Sequence, residues 1–495
     1  MKKMNLLVMS LVSAAALSFS SCSSNDDLTS GGGTQSQADG VYMTLKISGA
    51  TSHGTRTGVT ADKTTAENGN SDESTIKEGM LYIYDGNTCV FRKVITADMF
   101  KTTPTQTTAG ETKPIKVAVT GAITTNKAYN VYFLANNTSV DDPIAATSIF
   151  TSTTGGKDFA TAQKFVMFNQ NDGTKEAAHS TVTFTDAAKS EATPAAAGEI
   201  KLDRVVARID NPSFAETVTT VTPATDTKTS INVADVVAGI TYEGYAVSNL
   251  NNNSYVKQNW DNKFETLTVK WGEPKYYLPK SDYGTLYKEE GLGNFGKDSW
   301  KYAFENTTTN VDEATAVYFK VKVTLTETAN NASDFKDGTF YRYDGRLYTS
   351  IKAIYDDAAT GAISNPFTET SSITPADVVA KITGTDGKLT TDETVLAKFR
   401  EDYKIEVYRQ GTMYYRWAIS DNAYKPFVAS DATHTYSVLR NSIYRLNVTK
   451  VSEIGKDVPN GPEPDDPIKN PNFYMNVTVS INPWVLNEIN NIELK

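Results

Sequence analysis

The chain has 495 residues, 39% hydrophobic and 21% charged, the make-up of a soluble globular protein of two or three domains at roughly 150 residues each. Its formal charge of −10, from 48 Lys and Arg against 58 Asp and Glu, excludes the basic stripe of a nucleic-acid binder. Three His and two Cys leave almost nothing for a zinc site, a disulfide framework or His-based catalysis, and the 26 Tyr and 20 Phe favour strands over helices.

At the N-terminus, Lys2 and Lys3 precede an apolar stretch over 6–17 that is too short to span a bilayer. Small residues then lead through Phe19-Ser20-Ser21 into Cys22, which resembles a bacterial lipoprotein signal. Residues 1–21 are thus expected to be a signal peptide and Cys22 the acylated first residue of the mature chain, although a plain secretory signal with an incidental Cys fits the same residues. With Cys22 lipidated, Cys89 is the one thiol left and no intrachain disulfide can form. Residues 23–40, rich in Ser, Asn, Asp, Gly and Gln, read as a flexible tether.

Strand signals dominate the rest. Val41, Met43, Leu45 and Ile47 alternate with Tyr42, Thr44, Lys46 and Ser48, the period-2 pattern of a strand with one buried face. Apolar runs at 81–84 and 129–135 end in the turn residues Asp85-Gly86 and Asn136-Asn137. Further strands are expected at 164–168, 200–209, 241–247, 317–325, 405–408, 413–419 and 444–451, with a tight hairpin turn at Asp344-Gly345. The Thr-rich stretches 102–112 and 217–230 read as loops. Helices are few: Thr374-Pro375 starts one, and 390–393 resembles a capping box before Val395, Leu396, Phe399 and Tyr403. The fold class expected is mainly β, two successive antiparallel β-sandwiches with a few short helices, the boundary falling near residue 215.

The chemical search is mostly empty. His53, His179 and His434 lie far apart without metal-ligand spacing, and no nucleophile elbow, Walker loop or dinucleotide fingerprint occurs. The glycine-containing loop 289–296 lacks the strand and helix that such a fingerprint needs. Acidic pairs such as Asp356-Asp357 and Asp465-Asp466 fit solvated surface better than a contact to a sugar or a calcium ion, and most of the five Trp are better placed in sheet packing than on a glycan platform. Neither an enzyme nor a cofactor nor a metal site is expected.

Several segments together resemble the fimbrillin family of Bacteroidales, the lipoprotein pilins of type V pili, and within it the subunits that build minor fimbriae. They are YNVYFLAN at 129–136, LDRVVARI at 202–209, KYAFENT at 301–307, YRQGTMYY at 408–415, RNSIYRLNVTKV at 440–451 and VTVSINPW at 477–484. The resemblance implies transthyretin-like sandwiches, an acyl anchor at Cys22, and polymerisation after proteolysis beside an early Arg. Arg56 is the sole Arg between Cys22 and the strand at 81, in the small polar stretch His53-Gly54-Thr55-Arg56-Thr57-Gly58, where nicking is easiest. By local sequence alone it would be an ordinary surface residue; with the resemblance, an Arg-specific protease is expected to cut there and leave Thr57 as the new N-terminus.

Such a cut detaches Val41, Met43, Leu45 and Ile47 from the body and bares an apolar groove with unpaired backbone groups. A second period-2 segment offers to fill it: Phe473, Met475, Val477, Val479 and Ile481 alternate with polar residues near the other end. It follows Pro459, Pro462, Pro464, Pro467 and Pro471, which stiffen residues 459–472 as a spacer. Donor-strand assembly is therefore expected, with Met475, Val477, Val479, Ile481 and Trp484 in the donor and roughly 6–15 kcal/mol from four or five buried side chains as an upper bound. Pro483 would interrupt pairing near Trp484. The scheme reads 1–21 signal, 22–56 lipidated propeptide, 57–215 and 216–458 sandwiches, 459–472 linker and 473–495 donor segment. The expected product is the shaft subunit of a surface fimbrium supporting adhesion and biofilm formation. Its partners would be copies of itself, tip and anchor subunits, an Arg-specific protease and, through the precursor's lipid, the outer membrane. The alternatives are a tip or anchor subunit, or a glycan- or protein-binding surface lipoprotein that never polymerises.

Overall fold

The computed structural model describes residues 40–49, 67–101, 115–145, 147–170, 179–214, 233–260, 267–268, 295–297, 300–308, 314–368, 373–419, 436–451, 454–457 and 475–485. The signal segment, Cys22, the tether, Arg56 and Thr57, the loops at 102–112 and 217–230, and the Pro-rich spacer lie outside them.

The fold is mainly β, with mostly antiparallel sheets that include several parallel pairings and short helices arranged around three apolar cores among the described residues. The first core draws on residues 41–206 together with Val256, Phe304 and Ile443. One of its sheets is built on Gly79–Asp85, which pairs with Thr88–Ile95 on one side and Ala128–Ala135 on the other. A strand in that central position is covered on both faces, so MLYIY is an apolar run without alternation. The strand Ala128–Ala135 stops at Asn136, whose φ of 58° turns the chain. The Asn136 side chain accepts from the Lys77 backbone N–H and donates to the carbonyls of Thr75 and Phe165, which ties three loops together.

Two expected strands come out differently. At 164–168 only Met167–Asn169 is a strand, because the Val166 N–H is taken by the carbonyl of Phe159 in a turn. The apolar run 200–209 is two strands bent at Val205-Val206: Ile200–Arg204 pairs with Met167–Asn169 in the first core, and Ala207–Ile209 pairs with Lys301–Ala303 and Ser442–Val451 in the second.

The second core lies between that sheet and a three-stranded one, in which Ala316–Leu325 runs between Val237–Ser248 and Thr412–Ala418. The third core occupies the chain between Ala316–Leu325 and Thr412–Ala418 and packs the helices Ile351–Ala359, Pro375–Ala380 and Glu393–Tyr403 on a small sheet. Its hairpin Phe340–Tyr343 and Arg346–Tyr348 turns at Asp344 and Gly345, with φ of 47° and 74°; two left-handed residues in succession are what a right-twisted two-residue hairpin needs. Helix Pro375–Ala380 starts as read, Thr374 and Asp377 capping each other reciprocally. Helix Glu393–Tyr403 is capped by Asp392, which accepts from the Thr394 N–H, and not by Thr390, whose hydroxyl serves the Asp392 N–H instead. Helix Ile351–Ala359 was not foreseen; Ser350 caps it and Ile351 and Ile354 bury its inner face.

Candidate functional site

The candidate site is the groove that holds the leading strand, together with the strand that could replace it. The leading strand turns a corner. Val41–Leu45 is the middle strand of a three-stranded sheet, antiparallel to Ile115–Val119 and parallel to Ala195–Ala196. After Lys46 it changes sheet, and Ile47–Gly49 becomes an edge strand parallel to Ile200–Arg204. Its inward residues Val41, Met43, Leu45 and Ile47 are 5%, 0%, 0% and 5% exposed, whereas Tyr42, Thr44 and Lys46 are half-buried on the other face. Across the ladder Val41, Met43 and Leu45 face Val119, Val117 and Ile115, all buried. The carbonyls of Thr44 and Lys46 accept from the N–H groups of Ala197 and Ile200 at 3.0 and 2.9 Å. At about 1.5–3 kcal/mol per side chain, these four contribute roughly 6–12 kcal/mol as an upper bound.

The trailing strand, Met475–Val485, lies in the chain's own second sheet. It runs antiparallel to Ser442–Val451 from Val451↔Met475 to Ser442↔Pro483, placing Val477, Val479 and Ile481 opposite Val448, Leu446 and Tyr444. The backbone stays extended through Pro483, but the ladder to Ser442–Val451 ends there. Trp484 and Val485 pair on the other edge, parallel to Glu67–Asn68. The structure thus keeps the two expected partners of the exchange, 41–47 and 475–485, in different sheets of one chain.

Between the two sites runs a seam of buried ions. Glu73 takes the Arg208 guanidinium at 3.0 and 3.1 Å and the Tyr302 hydroxyl at 3.0 Å. Arg208 also reaches Asp210 at 2.7 Å, Asp210 holds Arg445 at 2.8 Å, and the Trp300 ring lies 4.1 Å from the Arg208 guanidinium carbon. Arg204 donates to the carbonyl of Glu73 at 2.8 Å and to Asn441, whose amide donates to Asp203 at 2.6 Å. Arg440 pairs with Glu305 at 2.8 Å and donates to the carbonyls of Tyr255 and Val256. Burial pushes the Asp203 carboxyl up to about 8 against the pull of Arg440 and Arg204, and pushes Arg204 down to about 9. Every one of these charges sits in LDRVVARID, RNSIYR or their partners. The signal was legible: charges interrupting an apolar strand run are rarely buried unless paired. Among the described residues, no group of three or more His, Cys, Asp or Glu is placed to hold a metal ion.

Residues 406–490 match the family model described as the major fimbrial subunit protein type IV, fimbrillin, C-terminal. The fimbrillin resemblance holds. The matched fimbrillin region contains both Ser442–Val451 and the trailing strand paired to it. No curated protein matches the chain. Among solved structures it is similar to a fimbrilin from Porphyromonas gingivalis W83, at 16% identity over 90% of this chain and 98% of that one, TM-score 0.39. It is also similar to a putative cell adhesion protein from Parabacteroides distasonis ATCC 8503, at 10% identity over 90% and 99%, TM-score 0.42. A tip fimbrial protein from Porphyromonas gingivalis aligns at 11% identity over 90% and 100%, TM-score 0.27. The fimbrillin resemblance rests on the family match over residues 406–490.

Proposed function

We propose that this fimbrillin-like chain is the shaft subunit of a cell-surface fimbrium, exported as a precursor lipidated at Cys22, cut between Arg56 and Thr57, and polymerised by donor-strand exchange. The observation that carries this reading is the position of Val41–Leu45: a middle strand with a fully buried apolar face, joined to the body through the segment that contains Arg56. Loss of a middle strand leaves two edges and an apolar trough at once, which a peripheral strand would not. An alternating segment of the same period, Met475, Val477, Val479 and Ile481, is present to fill it in a neighbouring copy, with the Pro-rich residues 459–472 as the spacer that lets it swing. The contact joins two different surfaces, so it propagates along a filament and does not close into a dimer. In this reading the two sandwiches divide at the Val205-Val206 bend, about ten residues before the expected boundary near 215, an irreversible cut is the switch, tip and anchor subunits complete the fibre, and adhesion and biofilm formation are its use.

Filaments sheared from cells and left unboiled test this. We expect a high-mass ladder whose first residue is Thr57, and an Arg56→Ala chain that stays monomeric with Val41 to Ile47 attached. Filaments that retain residues 41–47 would overturn the reading. The tip role is the second reading, favoured by the trailing strand's full pairing inside its own sheet. A tip subunit would be cut but would never be found donating residues 473–495 to a neighbour.

A further inference from the structure

Residues 67–74 cross from the trailing strand to the first core. Glu67–Asn68 covers the edge of the trailing strand that faces away from Ser442–Val451, and it is the ladder partner of Trp484 and Val485, beyond the point where the other ladder stops. The next residue is Gly69. A Cβ there would lie 2.1 Å from Nη2 of Arg204, so any larger residue at this position must push the buried guanidinium aside. Asn70 and Glu73 then close on each other, the Asn70 N–H donating to Oε2 of Glu73 and the Glu73 N–H to Oδ1 of Asn70, both at 2.9 Å. Glu73 is fixed in turn by Arg208 and Tyr302, and Ser74 accepts from Arg204 at 3.1 Å. One end of this strap is pinned in the ion seam; the other end lies along the end of the trailing strand.

We infer that residues 67–74 are a latch that holds the trailing strand in its own sheet, with Gly69 and Glu73 as the positioning residues that aim it. Exchange between subunits requires 475–485 to peel away from Ser442–Val451, and the end at 484–485 is where peeling starts once nothing lies against it. The latch therefore sets how often the trailing strand is available. As regulation of strand exchange it rests on the assembly reading, yet its structural content is testable in a chain that never assembles.

The experiment is amide hydrogen exchange on the uncut full chain. It compares the parent, a Glu67→Pro/Asn68→Pro double variant that removes the latch's backbone N–H toward the trailing strand whichever of the two residues supplies it, and Gly69→Ala, which displaces the strap without touching the ladder residues. Peptides covering 475–485 should exchange roughly tenfold faster in both variants, the order expected for losing one or two backbone bonds at a strand end, with Gly79–Asp85 unchanged as the reference for intact folding. Unchanged exchange at 475–485 overturns the latch, and so does faster exchange at Gly79–Asp85 in both variants, because the strap would then hold the whole fold. Treated afterwards with an Arg-specific protease, the variants should elongate faster than the parent. Fast exchange with no filaments from any of the three chains leaves the latch standing and removes the assembly reading.

Discussion

Asp203 and Glu73 show how much one buried charge governs here. Asp203 is held mostly protonated near neutrality by burial, at about 8 against an ordinary value near 4. An acid whose folded pKa lies above its unfolded one binds more protons when folded, so its contribution is complete below about pH 4 and is lost as pH rises toward 8. Asp203→Asn, which keeps an acceptor for Asn441, should flatten the dependence of unfolding free energy on pH between 4 and 8 by up to about 1.4 kcal/mol per pH unit. Denaturant titrations across that window measure it. Glu73 carries the opposite risk. Glu73→Ala takes one carboxylate from the buried Arg208 and leaves Arg204 beside a rearranged loop, and should cost about 3–5 kcal/mol in the same titration. A loss below 1 kcal/mol would mean that water reaches the seam.

Among elements, the leading strand is the clearest test case. Met43→Ala empties a fully buried position between Val117 and Ala195 and should destabilise the uncut chain by about 2–5 kcal/mol. In material cut after Arg56 and freed of its propeptide, the same variant should unfold like the parent, because residue 43 is gone. A difference that persists after cutting would show that the strand remains bound. Helix Glu393–Tyr403 makes a smaller point about how elements are read: its apolar spacing was visible, but two acceptors, Thr390 and Asp392, stood within three residues and only the backbone path decides which one caps.

For the whole molecule, the seam matters most. Val256, Phe304 and Ile443 reach into the first core, and the connection at Val205-Val206 is a bend two residues long, with paired ions on both sides. Those ions couple the cores: Arg208 belongs to the second sheet and Glu73 to the strap. Calorimetry of the parent should show one unfolding transition. Arg208→Ala should separate it into two, since Glu73, left with the Asn70 N–H and the Tyr302 hydroxyl, loses its charged tie to the second sheet. A single transition in the variant would place the coupling in the apolar contacts instead.

Period-2 alternation at 41–47, the turn chemistry of Asp344-Gly345 and the Thr374 cap were all legible in the sequence, because each is set by neighbours within a few residues. So was the mainly-β class, and so were the segments that carry the fimbrillin resemblance. What required the tertiary structure was every pairing between distant residues. It made Val41–Leu45 a middle strand, broke 200–209 in two, gathered the charges of LDRVVARID and RNSIYR on Glu73 and its neighbours, and laid Met475–Val485 against Ser442–Val451 with residues 67–68 on its far edge. Alternation tells a strand which face to bury, whereas its neighbours are chosen by how the whole chain closes over its cores.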